Sequence, residues 1–120
     1  MWINTIREHK TKPLQNSVRE LRERGLHPDV LLCRDLGTPI PPRILDKVSD
    51  MTGVPREAVF DAPDVRSVYD VPVTFYERHV DDFVADRFGL KRNGVRIHTW
   101  KNLVDRYAHP ESEKADVNVA

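Results

Sequence analysis

The sequence predicts an α/β fold in which helices cover a parallel sheet. A continuous apolar run at residues 30–33 shows no polar alternation, which is typical of a strand buried on both faces, and residues 58–60 indicate a second short strand. Elsewhere apolar residues recur at helical spacing, and nine prolines and five glycines divide the chain into short elements. A chain of 120 residues is long enough to bury one modest core.

The first predicted element is a short helix over residues 17–24. Ser17 is a good N-cap, and Glu20, three residues later, completes the spacing of a capping box. Val18 and Leu21 share one face of this helix, and Gly25 supplies its C-terminal stop.

A basic turn precedes this helix. Lys10 and Lys12 lie just upstream, and Pro13 stiffens the turn by fixing its own φ and favouring an extended Lys12. Helix N-termini leave backbone N–H groups without intrahelical partners and carry partial positive charge. The stretch therefore predicts a phosphate site at the mouth of the helix.

Polar residues follow both predicted strands. Arg34 and Asp35 come directly after the run 30–33, and Asp64 follows the run 58–60 after a short loop. In open α/β sheets, ligands bind at the carboxyl edge of the strands. We therefore expect Arg34 and Asp64 at one ligand-binding edge.

The remaining elements are predicted to be helices. One begins near Pro42 and ends at Gly53. Its apolar stripe consists of Ile44, Leu45, Val48 and Met51. Residues 67–71 can form one helical turn that Pro72 interrupts, and residues 73–79 and 81–88 predict broken helices. Thr99 is expected to cap a last helix. The core stripe of that helix consists of Trp100, Leu103, Val104 and Tyr107.

Single residues that could carry chemistry have simpler interpretations. Cys33 ends an apolar run, and we expect a buried small side chain there rather than a nucleophile. The five histidines show no metal-ligand spacing. Asp81 and Asp82 could suggest a Mg²⁺ site or an acid/base pair, but adjacent residues point to different helix faces. Asp81 is expected to be a helix cap instead. By pattern alone, Lys47 is a solvated lysine beside an apolar stripe.

Composition excludes several classes of function. Hydrophobic residues make up 39% of the chain and charged residues 32%, with 19 basic and 19 acidic side chains. There is no basic stripe interleaved with aromatic residues, so nucleic-acid binding is not expected. No apolar run approaches the roughly 20 residues of a membrane span, and no signal-peptide pattern opens the chain. We expect a soluble, cytoplasmic protein that does not bind membranes.

Residues 10–34, reading KTKPLQNSVRELRERGLHPDVLLCR, resemble the KTKPTQHSVKEL…G…PD…CR segment of CTP synthases, the glutamine-dependent amidoligases that convert UTP to CTP. Similar blocks follow in the family's order: GVPREAVFDAPDVRSVYDVP, HVDDFVADRFGL and the helix around Trp100. The resemblance covers residues 10–120, whereas residues 1–9 do not fit the family pattern. It implies a partial Rossmann-like parallel sheet of the P-loop amidoligase type with flanking helices.

The resemblance also implies two nucleotide sites. Six residues match the family's positions for UTP and the feedback inhibitor CTP: Lys10, Thr11, Lys12, Pro13, Gln15 and Lys47. Two match positions lining the adenine pocket for ATP: Asp64 and Val65. Three departures alter polar contacts: Leu14 in place of Thr, Asn16 in place of His, and Pro63 in place of a basic residue.

By the same resemblance, residues 1–108 are the C-terminal part of the amidoligase domain, and residues 109–120 are an interdomain linker and the start of a strand. The family uses Mg²⁺ with ATP, aminates UTP with glutamine-derived ammonia and forms tetramers, so the rest of a synthase or other subunits are expected partners. The phosphate-loop motif G-x-x-x-x-G-K-[ST] does not occur in this sequence. We therefore expect no catalytic or metal-binding residue here and no activity of the chain alone. The alternative is a stand-alone nucleotide-binding or assembly module without catalysis.

Overall fold

The computed structural model describes residues 2–3, 8–36, 38–91 and 97–108, with residues 2–3 and 8–9 described by their backbone alone. The strands are β1 (Trp2–Ile3), β2 (Glu8–His9), β3 (Leu31–Asp35) and β4 (Val59–Pro63). The helices are α1 (Lys12–Glu23), α2 (Pro42–Thr52), α3 (Val71–Glu77), α4 (Val80–Arg87) and α5 (Ile97–Ala108). Single 3₁₀ turns, Arg56–Ala58 and Val68–Asp70, precede β4 and α3. The predicted linker and strand at residues 109–120 lie outside the described residues.

β3 and β4 form a two-stranded parallel sheet, in register from Leu31 opposite Val59 to Asp35 opposite Pro63. This confirms the predicted α/β class with a parallel sheet flanked by helices. β1 and β2 form a separate antiparallel pair.

One face of β3 is buried and the other is not. Leu31, Cys33 and Asp35 are buried, while Leu32 and Arg34 between them are exposed. The prediction that this strand is covered on both faces is therefore wrong. The buried face packs against Val18 of α1 and against Leu45 and Val48 of α2 in one hydrophobic cluster, whereas the opposite face borders the clefts described below.

α1 begins at Lys12, five residues before the predicted start. Pro13 fits this start because the first helical turn needs no backbone N–H from it. Ser17 consequently lies inside the helix, where its Oγ donates to the carbonyl oxygen of Pro13 over 3.1 Å. The predicted Ser17 cap and its capping box are wrong. The predicted end is confirmed, because Gly25 follows with φ of 79°.

α2 matches its prediction in both ends, with Pro42 as its first residue and Gly53 in the left-handed conformation as its C-cap. Its buried face differs from the predicted stripe. Met51 is 57% exposed, and Thr52 takes the buried position one residue later. Thr52 can be buried because its hydroxyl donates to the carbonyl oxygen of Val48 over 2.6 Å.

Three predictions for the later helices are corrected. The predicted helical turn at residues 67–71 is present as the 3₁₀ turn Val68–Asp70, but Pro72 does not interrupt the helical segment, because it is the second residue of α3 and the first turn of a helix tolerates proline. Asp81 lies in the first turn of α4, after His79 as N-cap, and does not cap the helix with its side chain. α5 begins at Ile97, so Thr99 lies inside it. Of its predicted stripe Val104 is buried, while Leu103 and Tyr107 are exposed.

Within the described ranges, no helix combines the length and apolar character needed to cross a membrane.

Candidate functional site

Two clefts lie side by side at the exposed face and carboxyl end of the parallel strands. The larger has a volume of about 610 Å³, and the smaller of about 190 Å³. Leu32 and Arg34 of β3 line both clefts. The clefts therefore share a wall made by one strand.

The larger cleft is formed by the end of β4, the loop after it and α3. Its remaining lining residues are Ala62, Pro63, Asp64, Val65, Arg66, Ser67, Val68, Val71, Thr74 and Phe75. The lining is mostly apolar, with charged groups at the sheet end. This combination suits a flat ring that has a polar edge.

A capping box stabilises the 3₁₀ turn Val68–Asp70, which precedes α3 and borders the larger cleft. The backbone N–H of Ser67 donates to the Asp70 carboxylate over 3.0 Å, and the Ser67 hydroxyl accepts from the backbone N–H of Tyr69 over 3.2 Å. α5 braces the same turn, because the Trp100 indole Nε1 donates to the carbonyl oxygen of Tyr69 over 2.8 Å. At the other end of α3, Arg78 Nη2 lies 2.9 Å from an Asp61 carboxylate oxygen of β4. The segment formed by this turn and α3 is thus hydrogen-bonded both to α5 and to the sheet.

Arg34 and Asp64 form an ion pair across the sheet edge. Arg34 Nε lies 2.6 Å from Asp64 Oδ1, and this hydrogen bond raises the pKa of Arg34 above its ordinary value. The Asp64 backbone N–H donates to the carbonyl oxygen of Asp35 over 2.6 Å, which continues the strand pairing by one residue. The Arg34 side chain is 81% exposed and that of Asp64 32% exposed. The pair is therefore open to solvent and to ligands.

The smaller cleft lies at the N-terminal end of α1. Its lining residues other than Leu32 and Arg34 are Lys10, Thr11, Pro13, Leu14, Ser17, Cys33, Ile40 and Ile44. Gln15 Nε2 donates to Thr11 Oγ1 over 3.0 Å, which orients that hydroxyl. Two basic residues, Lys10 and Arg34, and the N-terminal end of α1 thus border one small space, which is an arrangement that favours an anion.

Comparison with known proteins assigns the family. Residues 1–90, which are 90 of the 120 residues, match the family model described as CTP synthase N-terminus. The chain belongs to the CTP synthase family. The CTP synthase of Zymomonas mobilis subsp. mobilis is 42% identical to it over 113 residues, which cover 93% of this chain and 21% of the relative. The chain thus spans about a fifth of the length of this CTP synthase.

The family match corrects the expected placement in two respects. It assigns the chain to the N-terminal region of CTP synthases, and this coarser placement replaces the expected C-terminal part of the synthetase domain. It also begins at residue 1, so the N-terminal nine residues, which were expected to fall outside the family pattern, are part of the match.

The structure divides the nucleotide residues expected from CTP synthases between the two clefts. Lys10, Thr11 and Pro13 line the smaller cleft, and Asp64 and Val65 line the larger. Three more are not in either lining: Lys12, Gln15 and Lys47. Lys12 and Lys47 are exposed on α1 and α2, whereas Gln15 is linked to the smaller cleft through Thr11.

The three departures from the CTP synthase pattern have different surroundings. Leu14 lines the smaller cleft and also packs against the hydrophobic core. Pro63 lines the larger cleft at the end of β4. Asn16 is exposed and lines neither cleft. Leu14 and Pro63 thus make the linings of the two clefts more apolar. Asn16 changes neither lining, because it lies outside both clefts.

Sequence reasoning expected Arg34 at the ligand-binding edge but assigned it to neither nucleotide, and it did not include Leu32 among the site residues. Arg34 had a usable signal, because it is the first polar residue after a predicted strand. Leu32 had none, because it lies within an apolar run whose exposed and buried positions look alike.

Cys33 is 7% exposed and belongs to the hydrophobic cluster. Burial raises the pKa of its thiol, and the nearby Asp61 carboxylate adds to this effect. The prediction of a buried small side chain is confirmed, and a neutral thiol is a poor nucleophile.

The described residues contain no cluster of candidate metal ligands. Across residues 10–36, 38–91 and 97–108, no group of three or more His, Cys, Asp or Glu side chains is arranged to hold a metal ion. We derive no step through Mg²⁺ from these residues.

Proposed function

We propose that this chain supplies the nucleotide-binding clefts of a CTP synthase, which carries out the ATP-dependent amination of UTP to CTP with glutamine-derived ammonia. The smaller cleft binds the phosphates of UTP or CTP, and the larger binds the adenine of ATP. The observation that carries this assignment is that the two clefts adjoin at one sheet edge, with Lys10, Thr11 and Pro13 lining the smaller and Asp64 and Val65 lining the larger.

The chemistry of the smaller cleft supports phosphate binding. Lys10 and Arg34 bring positive charge to it, and Thr11 adds a hydroxyl at the start of α1. In the first turn of α1, Lys12 and Leu14 have N–H groups that a helix leaves without intrahelical acceptors. The volume of about 190 Å³ is below the roughly 300–1,000 Å³ of a complete ligand pocket. Phosphate groups therefore occupy the cleft, while the nucleoside lies outside it.

The chemistry of the larger cleft supports binding of a purine ring. Its volume of about 610 Å³ lies within the usual range for a small-molecule pocket. Val65, Val71 and Phe75 offer apolar contact to the ring faces. The carboxylate of Asp64 accepts hydrogen bonds and suits the exocyclic amino group of adenine.

Lys47 requires a different explanation in this proposal. It is exposed on α2 and lines neither cleft. We assign its contact to a nucleotide held by another subunit, in keeping with the tetramers that the family resemblance implies.

Calorimetric titration of the 120-residue chain with UTP tests the phosphate assignment. The Lys10→Ala variant is expected to weaken UTP binding by about tenfold, the loss of a charge-assisted hydrogen bond. Lys91→Ala is the matched control, because Lys91 is an exposed lysine outside both clefts. Equal weakening in both variants, or no UTP binding at millimolar concentration, contradicts the assignment.

A second candidate function is a stand-alone nucleotide-binding module without catalysis. It rests on the same two clefts, which are lined by residues of the described part of this chain. Co-expression with the Zymomonas CTP synthase from which the matched segment has been deleted separates the two functions. Restored formation of CTP from UTP supports a working synthase segment, while nucleotide binding without restored activity supports the module.

A further inference from the structure

We propose that Arg66 is a specificity-determining residue of the larger cleft, where its guanidinium donates a hydrogen bond to a ring nitrogen of adenine. In this role it replaces the basic residue that the resemblance to CTP synthases implies at the position of Pro63. The inference rests on the proposed function and deepens it, because it names the donor that accompanies the Asp64 acceptor.

Recognition of adenine by its edge requires both an acceptor and a donor. The exocyclic amino group of adenine donates, while the ring nitrogens on either side of it, N1 and N7, accept. In DNA, the amide of Asn or Gln recognises this edge with one acceptor and one donor. A carboxylate supplies acceptors alone. Asp64 therefore meets half of the requirement, and a donor in the same cleft must meet the other half.

The lining of the larger cleft contains two charged donors, Arg34 and Arg66. Arg34 donates to Asp64 through Nε over 2.6 Å, and it also lines the smaller cleft, where its charge is assigned to phosphate. Pro63 has no donor in its side chain or its backbone. Arg66 is thus the charged donor that lines the larger cleft without lining the smaller.

The guanidinium of Arg66 retains its donors for a ligand. Its side chain is 72% exposed, and Nη2 lies 3.8 Å from Asp70 Oδ1, which is too long for a hydrogen bond. Asp70 is held instead by the backbone N–H of Ser67, which donates to Oδ2 over 3.0 Å. An exposed pair of this kind contributes little net stability. Arg66 can therefore turn towards a ligand while the capping box stays intact.

Asp64 and Arg66 are placed to contact the same ligand. Both line the larger cleft, and both also line a neighbouring cleft of about 320 Å³ beside α3. Asp64 uses Oδ1 for Arg34, so its second oxygen can still accept from the adenine amino group. A ring whose amino group contacts Asp64 thus meets Arg66 in the same lining.

Calorimetric titration of the 120-residue chain with adenosine tests the inference. Adenosine has no phosphate, so an effect of Arg66 on its affinity acts through the nucleoside. Arg66→Leu is expected to weaken adenosine binding by about tenfold, the loss of a hydrogen bond from a charged donor. Arg19→Leu is the matched control and is expected to leave binding unchanged. Arg19 forms an equally exposed i,i+4 pair with Glu23, also at 3.8 Å, and lines neither cleft.

Adenosine analogues with carbon in place of N1 or N7 identify the acceptor. The parent chain is expected to bind one of them, 1-deazaadenosine or 7-deazaadenosine, about tenfold more weakly than adenosine. Arg66→Leu should bind that analogue and adenosine equally, because the donor is gone. A merely structural role of Arg66 would weaken all three nucleosides by one factor and preserve the difference between them, which would overturn the inference.

A double variant tests whether Arg66 takes the place of the basic residue expected at position 63. Pro63→Lys added to Arg66→Leu is expected to bind adenosine more tightly than Arg66→Leu alone, because position 63 lines the same cleft. Equal affinities of the two would overturn this replacement.

The outcomes separate the role of Arg66 from the function on which it rests. If adenosine binds and Arg66→Leu weakens it no more than Arg19→Leu does, the role of Arg66 is overturned and the adenine site stands. Weaker binding of ATP with unchanged binding of adenosine assigns Arg66 to phosphate and also overturns the inference. If the parent chain does not bind adenosine, the proposed adenine site and the role of Arg66 fail together.

Discussion

Arg34 and Asp64, which are thirty residues apart in the chain, meet through a 2.6 Å bond because their two strands run parallel and in register. The register places Arg34 opposite Ala62, so the residue two positions beyond Ala62 reaches the guanidinium. This bond lies at the edge at which the two clefts adjoin.

The buried face of α2 gives a first prediction about stability. Leu45→Ala is expected to lower the free energy of unfolding by about 2–5 kcal/mol, because Leu45 is 6% exposed within the core. Met51→Ala is the control, with an expected change within about 0.5 kcal/mol, since Met51 is largely exposed. Urea unfolding monitored by tryptophan fluorescence measures both. Equal losses would contradict the face of α2 described here.

Replacement of Ser17 tests whether α1 begins at Lys12, as the structure shows, or at Ser17, as the sequence suggests. As an interior residue that bonds back to Pro13, it should be replaceable by alanine with a change within about 0.5 kcal/mol. An N-cap serine would lose about 1 kcal/mol. A loss of that size in Ser17→Ala, measured by urea unfolding, would place the start of the helix at Ser17.

The conformation of His79 leads to a third prediction. His79 has φ of 58°, a left-handed conformation that β-branched residues adopt with strain. His79→Val is expected to lower stability by roughly 1–2 kcal/mol more than His79→Asn, because asparagine tolerates this conformation. Both variants remove the contact between Nδ1 and Asp82, so the difference between them reports the backbone conformation together with the N-cap position, at which asparagine is favoured over valine. Equal stability of the two would show that position 79 is not left-handed.

We predict that the free energy of unfolding depends on pH through the Cys33 thiol. Its pKa is raised in the folded state by burial, so the folded chain holds this proton more tightly than the unfolded chain does. The resulting stability is complete below the unfolded pKa of about 8.5 and is lost as the pH rises above it. The free energy of unfolding should therefore decrease more between pH 7.5 and pH 9.5 for the parent chain than for Cys33→Ala. Parallel pH profiles would show that the thiol has an ordinary pKa.

Local pattern predicted the strands and α2 better than it predicted the start of α1. The runs at residues 30–33 and 58–60 became paired parallel strands, and Gly53 ended α2 as expected. Ser17 failed as a cap because Pro13 already begins the helix and Leu14 packs against the core, which extends the helix towards the lysines. Tertiary packing outweighed a good local capping signal.

The candidate site was predictable in its residue types but not in its arrangement. The resemblance to CTP synthases predicted that Lys10 and Asp64 belong to different nucleotide sites, and the structure shows that they line different clefts that both border β3. The exposed face of β3 could not be recognised because Leu32 is as apolar as its buried neighbours. Lys12 and Lys47 share a residue type with Lys10, so only the fold distinguishes the lysine that lines a cleft.

The most direct test of the two-cleft account is an amide chemical-shift map of the ¹⁵N-labelled chain, recorded once with UTP and once with adenosine. UTP is expected to shift the amides of Lys10, Thr11 and Leu14, and adenosine those of Asp64 and Val65. The amide of Arg34 should respond to both ligands, because its side chain lines both clefts. The same set of shifted amides for both ligands, or shifts away from both clefts, would contradict the account.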